Sequence, residues 1–304
     1  MSRAPRVLIL GASGQLGREL QGSFSGVGEI IACDRDTVDL ANAEQVRAAV
    51  HDHRPDVILN AAAYTAVDRA ESEPELAMAV NARAPQILAE EAALSGALLV
   101  HYSTDYVFDG SKTGPWEETD STNPLNVYGA GKLTGEQAIT RAGGKFLIFR
   151  TSWVYGPHGK NFLFTMLRLG RERDQLNIVD DQIGAPTTSI ELARATRTIV
   201  DSILDNQMGP PESWSGIYNM TCGGSVSWCG FAKAIFERAG PMLSGTSPEV
   251  HGIPASAYPT PARRPQNSVL SNEKLFARFG VRLAQWQDGL DQVIRVLAES
   301  EKRG

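Results

Sequence analysis

Residues 7–17 read VLILGASGQLG: four apolar residues, then the run Gly11-Ala12-Ser13-Gly14-Gln15-Leu16-Gly17 with glycines at every third position. A short apolar stretch feeding straight into such a run, with helix-forming residues after it, predicts strand, tight turn and helix. A turn without side chains lets backbone amides approach a pyrophosphate, and the helix amino terminus adds partial positive charge. Gly17 would let the helix pack closely on the strand. A βα turn closed by glycines without any ligand is the plain alternative.

The same alternation continues outward. β-type runs occur at Val7–Leu10, Glu29–Cys33, Asp56–Asn60, Ala97–Tyr102 and Lys145–Arg150, separated by stretches of helical character at Gly14–Ser23, Ala41–His53, Glu71–Leu94 and Val127–Arg141. Within the third of these, Leu76, Val80, Ile87 and Leu88 share one face of a 3.6-residue period. Strand and helix at this spacing predict βαβ units, and continuous apolar strands such as VLIL and ALLV predict a sheet covered on both faces. The expected fold class is α/β: a doubly wound parallel sheet of Rossmann type, with a second, smaller substrate-binding lobe.

After about residue 150 the regularity fades. Helical patterns recur at Phe162–Glu172, Ile190–Leu204 and Val226–Ala239, and Trp286, Leu290, Val293, Ile294 and Leu297 mark a last amphipathic helix. Before it, Gly252–Pro265 reads GIPASAYPTPARRP, whose four prolines exclude regular helix and predict an ordered loop or extended arm. The expected division is a dinucleotide-binding domain over 1–150 and a mainly substrate-binding lobe over 151–304, with some segments of the second half returning to the first domain. The closing EKRG reads as a solvated helix end.

Composition narrows the functional class. Hydrophobic residues at 42% and charged residues at 21% of the 304 fit a folded chain and exclude the disordered class. The net charge of −6 comes without any basic block, which argues against nucleic-acid binding. Three scattered cysteines, Cys33, Cys222 and Cys229, cannot form a disulfide framework or a four-ligand zinc site. MSRAPRVLILG has only four consecutive apolar residues before a glycine, and no apolar run approaches the roughly 20 residues of a membrane helix. The expectation is a soluble cytoplasmic protein with no membrane partner. No Walker A pattern surrounds Lys132, and His51 and His53 lie on different faces of their helix, so neither a P-loop nor a local histidine metal site is expected.

Asp34 ends the second strand, where a carboxylate would accept hydrogen bonds from a ribose 2′-hydroxyl. Arg35 follows and would suit a 2′-phosphate, so the pair leaves NAD and NADP both open. Asp39, beside Leu40, is placed for the adenine end or for a helix cap. The third strand ends in Asn60-Ala61-Ala62-Ala63-Tyr64, small residues against which a dinucleotide could lie. Tyr128 and Lys132 form Tyr-x-x-x-Lys, sharing a helix face after a fourth strand that ends His101-Tyr102-Ser103-Thr104-Asp105. A phenol with its ordinary pKa of about 10 is protonated at neutral pH, and a nearby ammonium would lower that value and improve its proton donation to a forming alkoxide. Thr104 would donate to a substrate carbonyl or cap its strand.

Gly11–Gly17, Thr104, Tyr128 and Lys132 together resemble the extended short-chain dehydrogenase/reductases. More narrowly, NAAAYTAVDRAESEPELA (60–77), VHYSTDYVFDG (100–110), PLNVYGAGKLTGE (124–136), FRTSWVYG (149–156), DDQIGAPT (180–187) and SAYPTPARRPQNSVL (256–270) resemble the dTDP-4-dehydrorhamnose reductases over nearly the whole chain. The resemblance implies NADPH- or NADH-dependent reduction of the C4 ketone of dTDP-4-dehydro-β-L-rhamnose, with Tyr128 as proton donor and Lys132 holding the nicotinamide ribose. It implies cofactor contacts at Gly14, Gln15, Leu16, Asp34, Asp39, Leu40, Ala63, Tyr64 and Thr65, and substrate contacts at Thr104, Asp105 and Trp153. Arg263 and Arg264, in the proline-rich arm, would bind the diphosphate through planar bidentate contacts. Tyr64 departs from the smaller ring of some relatives, and its hydroxyl needs a partner.

The resemblance also implies a homodimer, with a structural magnesium ion at the dimer contact and Glu19, Glu191 and Glu299 at the matching places. Two other readings share much of this pattern. One is a sugar-nucleotide epimerase or dehydratase of the same superfamily, which would retain its cofactor through the cycle. The other is a non-catalytic nucleotide-binding regulatory subunit of a methionine adenosyltransferase.

Overall fold

The computed structural model describes residues 3–240 and 247–301; residues 302–304, which make up most of the EKRG tail, lie outside them. The first half runs β1 (Arg6–Leu10), α1 (Gln15–Phe24), β2 (Glu29–Cys33), α2 (Ala43–His53), β3 (Val57–Asn60), α3 (Val67–Ala70), α4 (Pro74–Met78), a π-helical turn (Ala79–Arg83), α5 (Ala84–Ser95), β4 (Leu98–Thr104), α6 (Val127–Ala142) and β5 (Lys145–Thr151). The second half contains β6 (Val154–Tyr155), α7 (Phe162–Glu172), β7 (Gln175–Val179), β8 (Ile183–Gly184), β9 (Thr187–Thr188), α8 (Ser189–Leu204), β10 (Gly216–Asn219), β11 (Val226–Ser227), α9 (Trp228–Ala239), β12 (Glu249–Ile253), α10 (Glu273–Phe279) and α11 (Trp286–Glu301).

Six strands form one sheet in the order β10-β5-β4-β3-β1-β2, every neighbouring pair parallel. The chain winds outward from β1 in both directions, to β2 on one side and β3 on the other. That reversal is the switch point at which such sheets place ligands, outside the carboxyl ends of the strands. The apolar runs are explained by two packed faces. Val7, Ile9, Val57, Leu59, Val100, Leu147 and Phe149 join one buried cluster, whereas Leu8, Leu10, Ile58, Leu99 and Ile148 join the other. Each such side chain contributes roughly 1.5–3 kcal/mol on full burial, so substitution from either face is costly.

The first cluster continues into the second half through Leu163, Met166, Phe231, Ile235, Leu290 and Val293. α8 lies against α1, and β10 extends the main sheet beside β5, so these two elements belong to the sheet layer. β7 and β12 pair in parallel as a separate small sheet. The proline-rich arm carries a single 3-10 turn, Ala255–Ala257, after the end of β12. Among the described residues no helix is long and apolar enough to cross a membrane.

The stretch expected as one helix over 71–94 is instead α4, the π turn and α5. Pro85 gives the physical reason. It has no N–H for the carbonyl four residues earlier, that of Asn81, and its ring crowds that carbonyl. The π turn takes up the misfit, and the Asn81 carbonyl faces α6 at Gly135, where a Cβ would stand 2.3 Å from its oxygen.

Candidate active site

A cavity of about 470 Å³ opens at the carboxyl ends of β1–β5. The glycine turn forms its floor. Gly11 has φ +78°, and a Cβ there would stand 2.8 Å from the Cα of Ala62; a Cβ on Gly17 would stand 2.1 Å from the carbonyl oxygen of Gly11. The two glycines are therefore required by the close approach of α1 and β3 to the turn. Gly11, Gly14, Gln15 and Leu16 line the cavity, while Gly17 sits behind them as a packing residue. From the second half, Gly159 and Lys160 reach the same cavity, and Asn161 donates to the Gln15 side-chain oxygen at 2.8 Å.

Asp34, Arg35, Asp39, Leu40, Ala63, Tyr64 and Thr65 also line it. The Asp34 carboxylate, however, clasps its own turn: Oδ1 accepts from the Asp36 and Thr37 amides at 3.1 and 3.2 Å and from the Thr37 hydroxyl at 3.2 Å. Arg35 is exposed and makes no ion pair with any described residue. Asp39 accepts from the Ala41 amide at 3.0 Å, and Asn42 is the cap of α2. The Tyr64 hydroxyl finds its partner in Glu73, at 2.6 Å, and this carboxylate holds the phenol above its ordinary pKa. The Tyr64 backbone is fixed on both sides by Asn81, which accepts from its N–H at 2.9 Å and donates to its carbonyl at 3.0 Å.

Tyr128 and Lys132 face this cavity from the first turns of α6, whose start is capped by Asn126 accepting from the Gly129 amide at 2.8 Å. Burial pushes the Tyr128 phenol up to about 12, the Thr104 hydroxyl opposing the shift and the Asp105 charge reinforcing it. Burial brings the Lys132 ammonium down to about 7, with the Glu136 charge opposing. The expected lowering of the phenol by Lys132 is thus absent: the lysine points instead to His101 Nε2 at 2.9 Å and donates to the Tyr102 carbonyl at 2.6 Å. Ser103 and Thr151, also on the cavity wall, carry buried hydroxyls without partners.

Thr104 and Asp105 lie beside Tyr128 but are enclosed. The Thr104 hydroxyl donates to Asp105 Oδ1 at 2.8 Å and accepts from the Tyr106 amide at 3.1 Å. A hydroxyl has one hydrogen, so in this arrangement Thr104 takes the second of the two roles its sequence position allows, the cap at the end of its strand, and does not present the hydrogen to a carbonyl. Burial raises the Asp105 carboxyl to about 6, against the hydroxyls of Ser268 and Thr104, and its Oδ2 has no partner.

Trp153 adopts φ +48°, with its indole stacked on Trp228 at 3.5 Å and 8° and pressed to Gly184, where a Cβ would stand 2.5 Å from the ring. One face of the expected stacking platform is therefore covered. The two arm arginines differ. Arg264 is bound in bidentate fashion by Asp68, at 3.1 and 2.7 Å, and also donates to Thr260 and the Ala262 carbonyl, so its fork is committed within the protein. Arg263 is exposed, and its carbonyl accepts from Asn126 at 2.8 Å. Among the described residues Glu19, Glu191 and Glu299 belong to no metal-binding cluster. Glu19 faces His158, Glu191 is held by Arg194 at 2.7 Å and by the Ala284 amide at 2.8 Å, and no three His, Cys, Asp or Glu converge among the described residues.

Asn81, His101, Ser103, Thr151 and Lys160 were missed by sequence reasoning. Pro85 was a legible sign of the turn that carries Asn81; the others have no local signature, because their roles arise from strands brought together by the sheet.

Residues 5–299 match the family model described as the RmlD substrate binding domain. The chain is 47% identical over 298 residues to a dTDP-4-dehydrorhamnose reductase of Burkholderia thailandensis, covering 96% of this chain and 99% of that protein. It is 46% identical over 295 residues to one of Salmonella typhimurium, covering 95% and 96%. Among solved structures, a dTDP-4-dehydrorhamnose reductase from Bacillus anthracis in complex with NADP superposes with a TM-score of 0.87 at 36% identity, covering 96% of this chain and 99% of that one.

Proposed function

The chain belongs to the dTDP-4-dehydrorhamnose reductase family, and from that premise we propose that it is an NADPH-dependent oxidoreductase converting dTDP-4-dehydro-β-L-rhamnose to dTDP-L-rhamnose. The observation that carries the reading is the convergence of the glycine turn, Tyr128 and Lys132 on one cavity at the switch point of the sheet. The residues fit a dinucleotide: a tight glycine turn whose backbone lines the cavity without side chains at Gly11 and Gly14, a helix amino terminus at that turn, and two unpartnered hydroxyls on the cavity wall. A bound nicotinamide supplies the hydride that goes to C4 of the sugar.

The protein's own part is the proton. Tyr128, held as a phenol by its burial, gives its proton to the oxygen as the C4 ketone becomes an alcohol. Lys132 holds the ribose hydroxyls with the ammonium hydrogen left to the cavity, and Tyr128 regains its proton from solvent. Asp105 keeps the Thr104 hydroxyl oriented beside that phenol. Arg263 takes the diphosphate in place of Arg264, because Asp68 already occupies the Arg264 fork. The site of action is the cytoplasm, a reading supported by three cysteines that are all buried and unpaired.

Cofactor preference follows from the second strand. Asp34 is used by its own turn, whereas Arg35 is unpaired at the cavity, which favours a 2′-phosphate and hence NADPH. Arg35→Ala is expected to weaken NADPH binding about 10–100-fold, the size of one hydrogen-bonded charge contact, while changing NADH affinity little. Titrating both cofactors by fluorescence checks it; equal losses for the two would remove Arg35 from discrimination. The activity itself is tested by NADPH oxidation that depends on the keto sugar. A purified protein that keeps its cofactor through gel filtration and oxidises none would point to an epimerase.

A further inference from the structure

Behind Lys132 lies a line of three buried polar side chains from three elements. Asn60 ends β3, His101 stands next to it on β4, and Lys132 comes from α6; all are within 1% of complete burial. Asn60 Nδ2 lies 3.0 Å from His101 Nδ1, and His101 Nε2 lies 2.9 Å from Lys132 Nζ. Neither Asn60 nor His101 lines the cavity, so neither serves a ligand directly. Placing an imidazole and an amide at zero exposure is costly unless both are hydrogen-bonded, and here each ring nitrogen has one partner.

We propose that His101 is a positioning residue for Lys132: a neutral imidazole, protonated on Nδ1 and backed by Asn60, whose Nε2 accepts one hydrogen of the ammonium and so aims another at the cofactor cavity. The hydrogen count supports it. An ammonium has three hydrogens and no acceptor. One goes to the Tyr102 carbonyl at 2.6 Å and one to His101 Nε2 at 2.9 Å. The third remains for the cavity that Lys132 lines. An Nε2 that accepts requires the ring proton on Nδ1, and that proton needs an oxygen. Asn60 Oδ1 is buried without a partner, and turning the amide end over end brings it to Nδ1.

Charge around the line favours the same state. Glu136 lies one turn along α6 from Lys132 and its charge opposes the loss of the lysine's proton, although the carboxylate itself is paired to Arg150 on β5 and not to Lys132. Burial and the adjacent lysine hold His101 well below its ordinary pKa, so the ring stays neutral and able to accept. Of the other titratable groups at this end of α6, Tyr128 lines the cavity, Asp105 is enclosed beside it, Tyr106 packs edge-on against Tyr128, and Glu71 accepts from the Val127 amide. Burial brings the Lys132 ammonium down to about 7 with the His101 bond in place, so removing the one acceptor side chain in this line takes the midpoint lower still.

The proposal rests on the reductase reading only for its purpose, and its test needs no turnover. Nitrogen-15 NMR of histidine-labelled protein, with the His101 signals located by their loss in His101→Gln, should show a protonated Nδ1 and a bare Nε2. A proton on Nε2 overturns the assignment. NADPH binding is then followed against pH. His101→Leu should move the alkaline midpoint down by about one pH unit, a tenfold loss of ammonium at a given pH, and His101→Gln should restore it. A His101→Leu profile that superimposes on the wild type overturns the proposal; if that variant does not fold, the tautomer measured in the wild type decides. The expected tautomer and midpoint shift, together with no reduction of the keto sugar, would leave this inference standing and remove the reductase reading.

Discussion

Tyr128→Phe is expected to lower kcat by about 10²–10⁴-fold, the range for loss of a positioned general acid, with NADPH affinity changed little. The phenol is the group that burial prepares for this task. Raised to about 12, it remains protonated across the neutral range, so the donor is present there. The variant loses one oxygen and retains the ring, including its edge-on packing against Tyr106 at 5.8 Å, so the cavity keeps its shape. Steady-state kinetics with saturating NADPH measure the effect. Turnover within a few-fold of wild type would show that the alkoxide takes its proton elsewhere, from water or from Lys132.

The second large effect concerns stability. Glu136 and Arg150 form an ion pair at 2.6–3.2 Å with side chains 1% and 3% exposed, between α6 and β5. Removing one partner leaves the other charged and buried. Glu136→Ala is therefore expected to destabilise the fold by about 3–5 kcal/mol. Arg150 already has one buried nitrogen without a hydrogen-bond partner, and its guanidinium lies 5.0 Å from the Phe108 ring. In a chain of this size the change corresponds to a fall in Tm of roughly 6–15 °C. Thermal unfolding of Glu136→Ala checks it, and the double replacement Glu136→Met with Arg150→Met should recover much of the loss, since no charge is then stranded. A single variant melting within a degree of wild type would mean that the pair is hydrated or dispensable.

Much of the first half was legible in the sequence because its signals are local. A strand buried on both faces must be apolar throughout, so VLIL and ALLV announced themselves, and the glycines at 11 and 17 are dictated locally by the left-handed backbone of the turn and by the packing of α1 on it, although Gly11 also meets Ala62 beyond β3. Tyr128 and Lys132 were legible for the same reason, being one helical turn apart. β10 was not: four residues at the sheet edge, beginning with a glycine, carry too little pattern to distinguish a strand from a loop. The β7–β12 pair escaped because its two strands are separated by some seventy residues and are largely exposed.

At the site, residue types were legible and hydrogen-bond commitments were not. Asp34 carries the right chemistry for a ribose, yet the Thr37 that follows draws it into a turn, a local pattern that Asp and Thr at this spacing commonly make. Arg264 has the right fork for a diphosphate, yet Asp68, nearly two hundred residues earlier, already fills it. His101 looks like an ordinary strand residue until the sheet sets it between Asn60 and Lys132. Such long-range pairings are decided by topology, which a single sequence shows only through its local consequences.

The measurement that bears most directly on the central claim is a coupled one. Purified protein is given dTDP-4-dehydro-L-rhamnose and NADPH, the absorbance of the reduced nicotinamide is followed, and the sugar nucleotide formed is identified by NMR. The account predicts one NADPH oxidised for each dTDP-L-rhamnose produced, with Tyr128→Phe slow by the factor given above. Measurable NADPH binding without oxidation, or oxidation yielding a different C4 epimer, would contradict it.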